Sequence, residues 1–305
     1  MSTKPVLSIC LPCYGRVDYV RNTLLSIYVD NSEVPLEKFE VVISDNDPNK
    51  RVYSLMREFS YSNLRYHYSN CEGFLNSYCV LKYGIGDLLK LHNSQVVFRK
   101  GSLRAIINEV ERVKDAKPLI FYSNGFLNDN RSMVYYSFDE YCNHLSYWPS
   151  WSNGFSIWKE DFDRLSSPKL NTLFPHVSLF NTQHDKMSYI SNDIHLFETQ
   201  RVKGRKGHNK FEAFTIEYPS LVDECYQNGW ISKNTEKKIF NDIVTEYLPT
   251  LLFNKYIARI EFYDISGYRT NIKKYFSSGA YWKAWIHVLT VPYKMIIRKV
   301  RQALS

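Results

Sequence analysis

Ser8-Ile9-Cys10-Leu11-Pro12-Cys13-Tyr14-Gly15-Arg16 and, one helix length later, Phe39-Glu40-Val41-Val42-Ile43-Ser44-Asp45-Asn46-Asp47 decide the fold. Each is an apolar run that stops at polar or turn-forming residues, the pattern of a buried strand whose C-terminal end carries the chemistry. Between them, residues 18–29 set Val20, Leu24, Leu25, Ile27 and Val29 among polar residues, which suits a crossover helix. Strand, helix and strand with polar loops at one edge make a parallel α/β unit. The alternation continues with a strand over 64–68, a helix over 73–82, a strand over 87–91, a helix over 101–113 and a strand over 119–123. From Tyr218 onward the spacing is helical, with Leu221, Val222 and Cys225, then Ile239, Phe240, Ile243, Val244, Tyr247 and Leu248.

The residues Pro12, Tyr14, Arg16, Asp45 and Asp47 match a pattern in which the first strand ends in Ile-Pro-x-Tyr-Asn-Arg and the second in an Asp-centred turn. On these residues the chain resembles the bacterial family 2 glycosyltransferases. Asn70-Cys71-Glu72-Gly73-Phe74 is similar to that family's Asn-x-x-Gly-Phe turn, and Lys100-Gly101-Ser102-Leu103 to its Pro-Gly-Ala-Leu helix start. The resemblance spans roughly residues 6–215. It implies a GT-A-like, mostly parallel nucleotide-binding sheet flanked by helices over 1–217; the helical region over 218–305, with a membrane-associating tail, is read from its own periodicity and charge. The resemblance also implies inverting transfer of a sugar from a nucleoside diphosphate donor to a lipid-linked surface polysaccharide intermediate. Asp45 would hydrogen-bond the base, the backbone around Pro12 and Tyr14 would hold the nucleoside, Arg16 would face phosphate, and Asp47 would belong to the same nucleotide-sugar site.

With the flanks in register, the family's metal-binding Asp-x-Asp falls on Ser94, Gln95 and Val96, after His92 and Asn93. Hard divalent cations need oxygen ligands, preferably carboxylates. Asn93, Ser94 and Gln95 offer neutral groups suited to a sugar or phosphate. No metal ligand is therefore assigned and no cofactor is expected to be required, with manganese or magnesium left open. The diphosphate charge would fall to a basic, glycine-hinged run, Arg201-Val202-Lys203-Gly204-Arg205-Lys206-Gly207-His208, in which Arg205, Lys206 and His208 are the phosphate candidates. The family's acidic base is also missing. His176 stands in its place as a general base able to act near neutral pH, and Asp185 and Asp193 are the fallback carboxylates. Loss of both acidic motifs leaves a second expectation, a nucleotide-sugar-binding pseudoenzyme that scaffolds polysaccharide assembly.

The 305 residues carry a net charge of +8, and it is concentrated. From Leu251 on there are ten Lys or Arg against Glu261 and Asp264, so the tail holds the whole excess. Within it Trp282, Trp285, Ile286, Leu289, Tyr293, Ile296, Ile297 and Val300 recur at helical spacing, with a reset at Pro292. Such a stripe can pack on the core or lie on an anionic membrane, and tryptophan beside lysine favours the membrane. No window is apolar enough to span a bilayer. The N-terminus lacks a hydrophobic signal segment, so the expected location is the cytosol, peripheral on the inner face of the plasma membrane. The scattered aromatics and the localised charge argue against a nucleic-acid partner. Six cysteines without framework spacing are expected to be reduced, and Cys10 and Cys13 to be core residues.

Overall fold

A computed structural model describes residues 4–200, 209–260 and 264–304, the last seven of these by backbone alone. Contacts divide the chain into two compact units, Met1–Val202 and Lys203–Ser305.

The first unit runs β1 (Leu7–Cys13), α1 (Val17–Tyr28), β2 (Phe39–Asp45), α2 (Leu55–Glu58), β3 (Leu64–Tyr68), α3 (Asn76–Tyr83), β4 (Leu88–Leu91), β5 (Val96–Phe98), α4 (Ser102–Val113), β6 (Leu119–Tyr122), β7 (Ser132–Tyr135), α5 (Phe138–Leu145), β8 (Ser156–Trp158), α6 (Lys159–Arg164), α7 (Pro175–Asn181), β9 (Tyr189–Asn192) and β10 (Phe197–Thr199). The main sheet has the order β3-β2-β1-β4-β8. All its pairs are parallel except β4 with β8. β1 and β2 are covered on both faces, which is why they read as unbroken apolar runs. Their register is level from Leu7 opposite Phe39 to Cys13 opposite Asp45, so both quoted motifs end at the same edge. Between the strands, the buried Glu40 carboxylate accepts from Ser8 Oγ at 2.5 Å and from the Ile85 amide at 2.6 Å, and pairs with Arg65.

The crossover helix α1 buries Val20, Leu24 and Ile27 and leaves Leu25 and Val29 exposed. A further parallel pair, β6 with β9, is extended by antiparallel β7, and β5 pairs with β10. Cys10 and Cys13 are buried core thiols, but Cys71 and Cys79 are joined in a disulfide, contrary to the expectation of six reduced cysteines. The sequence spacing concealed it because the two residues meet only when the turn before α3 folds back on the helix.

The second unit is helical: α8 (Lys210–Glu212), α9 (Tyr218–Gln227), α10 (Lys233–Asp242), α11 (Leu248–Leu252), α12 (Tyr268–Asn271), α13 (Ala280–His287) and α14 (Val291–Leu304). π turns over 213–217 and 243–247 precede Pro219 and Pro249. In each, the amide just before the proline reaches five residues back, Tyr218 to Ala213 and Leu248 to Ile243. In the tail, α13 packs through Ala280, Ala284 and Val288. Trp282, Ile286, Leu289, Tyr293 and Ile296 stay exposed, Leu289 by 83%. The helical phase resets in a 3-10 turn at Val288–Thr290, ahead of Pro292, which sits harmlessly in the first turn of α14. Among the described residues no helix is long and apolar enough to cross a membrane.

Candidate functional site

The C-terminal edge of β1, β2 and β4 gathers the residues singled out in the sequence. β1 leaves the sheet at Cys13, exposes Tyr14 by 60%, and turns through Gly15 and Arg16, both with positive φ. The positive φ at Gly15 favours glycine, and a Cβ there would come within 2.4 Å of the Arg51 guanidinium and push that side chain aside. Asp47 is buried and paired with Arg51 Nε at 2.6 Å, which holds its carboxyl below the usual range. Arg51 was not singled out in the sequence, although its position four residues after Asp47 is the signal that could have found it.

Asp45 is fully buried, and burial raises its pKa. One of its oxygens accepts from the Asp47 amide at 3.0 Å, the other from the Tyr66 hydroxyl at 3.0 Å. It therefore organises the turn from within, and its neighbours present the surface. Asn76, at the start of α3, binds both strand ends: it donates to Ser44 O at 2.8 Å and Cys13 O at 3.4 Å and accepts from Ser44 Oγ at 2.6 Å.

The loop after β4 lies beside this edge, tied by the His92 amide to Cys10 O. Asn93 is fixed from Asn153 and Ser152, with its amide on Asn153 Oδ1 at 2.8 Å and its Oδ1 accepting from Ser152 Oγ at 2.8 Å. The Thr23 hydroxyl of α1 lies 2.9 Å from Val96 O and 3.1 Å from Ser94 O, with one proton to donate between them. Arg16 Nη1 donates to Gln95 Oε1 at 3.2 Å, joining the first motif to the position of the missing acidic triplet. Tyr14, Arg16, Asp47, Asn93, Ser94 and Gln95 thus share one edge, with Pro12 in the strand that leads to it.

Behind the loop lies a residue that the sequence reading passed over. Lys90 is fully buried in β4, its ammonium donating to Leu91 O at 3.0 Å and Asn153 O at 2.8 Å, with the Phe197 ring 4.5 Å away. Burial lowers its pKa to about 7. Its signal was a lysine flanked by leucines in a central strand.

The donor set does not fit a hard cation. Ser94, Gln95 and Val96 supply no carboxylate, and among the described residues no three His, Cys, Asp or Glu side chains converge on a metal position. Arg205, Lys206 and His208 lie outside the described residues. The chain before them is anchored at this edge, since the Gln200 amide donates to Gln95 O and its side chain meets Asn22 and Tyr19 of α1.

No base candidate has the setting the sequence suggested. His176 is 5% exposed at the start of α7, its Nε2 is 3.1 Å from Ser150 O, and burial lowers its pKa to about 4. It anchors α7 to the 148–150 turn as a neutral ring. Asp185 is exposed in the turn before β9. Since β9 runs with β6, and both β6 and β4 run against the β8 segment, that turn is at the N-terminal edge, opposite the gathered residues. Asp193 is spent on caps, accepting from Ser123 Oγ and the amides of Leu127 and Asp129.

No family model matches the chain, and no curated protein matches it. Solved structures do. Staphylococcus aureus TarS 1–349 in complex with UDP-GlcNAc superposes with a TM-score of 0.59 at 11% identity, covering 90% of this chain and 80% of that one. The mannosyltransferase PcManGT from Pyrobaculum calidifontis, in complex with GDP-Man and Mn2+, gives a TM-score of 0.53 at 14% identity, covering 94% and 88%. The fold is GT-A-like. At these identities the likeness is one of fold, and it agrees with the mainly parallel central sheet flanked by helices that the quoted strands imply.

Proposed function

We propose that this chain is a glycosyltransferase that takes a nucleoside diphosphate sugar at the edge formed by Tyr14, Arg16, Asp47 and Gln95, and transfers the sugar to a lipid-linked glycan at an anionic membrane. The observation that carries the reading is the level ending of β1 and β2, which sets Cys13 opposite Asp45 within a GT-A-like sheet, beside the Arg16–Gln95 contact. Two of the solved structures with this fold are complexes with nucleotide sugars, UDP-GlcNAc and GDP-Man.

In the proposed reaction an acceptor hydroxyl attacks the anomeric carbon, the bond from that carbon to the diphosphate oxygen breaks, and the hydroxyl proton passes to a base. The leaving diphosphate gathers negative charge, so fixed positive groups lower the barrier. Arg16 supplies such charge beside the loop that replaces the acidic triplet, and Arg205, Lys206 and His208 follow Gln200 in sequence. Inversion, family 2 membership and independence of metal belong to this proposal.

A scaffold that binds nucleotide sugars without transferring them is the second reading. It is favoured by the burial of His176, the titratable group at the position where the resemblance puts the base. Thermal stabilisation by a panel of UDP- and GDP-sugars, with EDTA or with manganese, followed by product analysis on a lipid-linked acceptor, tests both. Binding with transfer supports the enzyme, binding without transfer the scaffold, and no binding removes both.

A further inference from the structure

The helical unit contains an open cavity of 590 Å³ between α10, the 274–277 turn and the start of α13. Lys233, Lys237, Lys274 and Lys283 stand around it, with Phe240 and Phe276 in its wall. Lys233 is paired with Glu236, and Lys283 donates to Asn241 Oδ1 at 2.7 Å. Among the described residues no carboxylate pairs with Lys237 or Lys274, although Asp223 also lines the space. Four ammonium groups against two carboxylates give the cavity an excess of two positive charges, which suits an anion of matching charge.

The helix that closes the cavity shows three faces. Ala280, Ala284 and Val288 are buried. Lys283 and, in the next helix, Lys294 turn toward the neighbouring π turn and α10, where they meet Asn241 and Glu246. Trp282, Ile286 and Leu289 point away from the buried face into solvent. An exposed apolar ridge thus borders a cationic cavity on the same helix, and apolar area of this kind marks a contact surface.

We propose that the cavity binds the phosphate head of a membrane-embedded amphiphile whose hydrocarbon lies along the Trp282–Ile286–Leu289 ridge. This deepens the acceptor side of the proposed function and rests on it, since a lipid-linked acceptor presents that chemistry.

The full-length protein is mixed with phosphatidylcholine vesicles carrying phosphatidic acid, and with vesicles of equal surface potential carrying phosphatidylserine; soluble glycerol 3-phosphate is titrated separately. The phosphatidic acid vesicles should bind more tightly. Lys237→Gln with Lys274→Gln should weaken that binding about fivefold for each lysine, whereas Lys100→Gln with Lys114→Gln should leave it unchanged. Trp282→Ser with Ile286→Ser should abolish vesicle binding and preserve glycerol 3-phosphate binding. Equal binding to both vesicle types, or equal losses from both lysine pairs, would mean diffuse charge and overturn the site. Glycerol 3-phosphate binding without vesicle binding by the wild type would overturn the amphiphile in favour of a free phosphate ester. Stabilisation by nucleotide sugars, measured in parallel, reports the donor site and separates its failure from failure of the cavity.

Discussion

Replacing Lys90 by methionine makes a buried charge legible through the pH dependence of stability. Unfolded, Lys90 keeps its proton up to about pH 10.5, as a free lysine does; folded, it gives it up near pH 7 because burial penalises the cation. Between these values the unfolded chain binds more protons than the folded one, so stability rises with pH, by at most about 1.4 kcal/mol per pH unit. Integrated from pH 6.5 to pH 9, this one group contributes a rise of about 2.5 kcal/mol. Lys90→Met lacks the rise. The substitution also leaves Leu91 O and Asn153 O without a donor, at about 1–3 kcal/mol each, but that loss is nearly independent of pH. Groups that do not sense Lys90, Cys13 among them, act on both proteins and cancel in the difference, whereas Cys10 and His92 face Lys90 and shift with it. Urea denaturation of the two proteins at half-unit pH steps yields that difference directly. Parallel curves would refute the claim that Lys90 is held dehydrated in β4.

His176→Gln should retain most of any transfer activity, because the buried ring is a positioning group. With folded and unfolded pKa values of about 4 and 6.5, the wild type loses about 3 kcal/mol as pH falls through that window, and the variant should not; a loss of all turnover in a folded variant would restore the histidine as base. Asp45→Asn should cost about 1–3 kcal/mol of stability by setting an amide donor against Tyr66 or the Asp47 amide, and should weaken nucleotide binding by loosening the turn; unchanged melting and affinity would contradict it. EDTA should leave stabilisation by nucleotide sugars intact, whereas abolition by EDTA and recovery with manganese would point to ligands other than Ser94 and Gln95. Reducing the Cys71–Cys79 disulfide, which spans 8 residues, should lower stability by about 2.5 kcal/mol on the loop-entropy model, read as a melting shift with and without reductant.

The parts of the fold that were legible are those in which one residue type has one physical outcome. The apolar runs to Cys13 and Asp45 fit only doubly covered strands, and the turn residues after them fit only an edge. β7 escaped notice because Ser132–Tyr135 alternates too briefly and half faces solvent. At the site, identity without environment misled: a histidine reads as a base until its burial against Ser150 is known, and Asp185 reads as a spare carboxylate until strand direction puts it at the other edge. In the tail both stripes had helical period. The large residues drew the eye, yet Ala280, Ala284 and Val288 went inside, since small side chains let α13 approach the π turn and α11 closely.

The π turns before Pro219 and Pro249 make two stretches of this chain resistant to change in length. Each holds one residue more than an α-helix of the same span, and the wider turn leaves room for a carbonyl to which proline, having no N–H, cannot donate. Delete one residue from 243–247 and the backbone returns to α spacing, in which the Pro249 ring meets the carbonyl of the preceding turn and the segment kinks. Insert one and every side chain beyond it rotates by about 100°, which would turn Leu251 and Leu252 out of the core. Relatives of this protein should therefore vary in length in the turns between its helices and keep these two stretches at constant length.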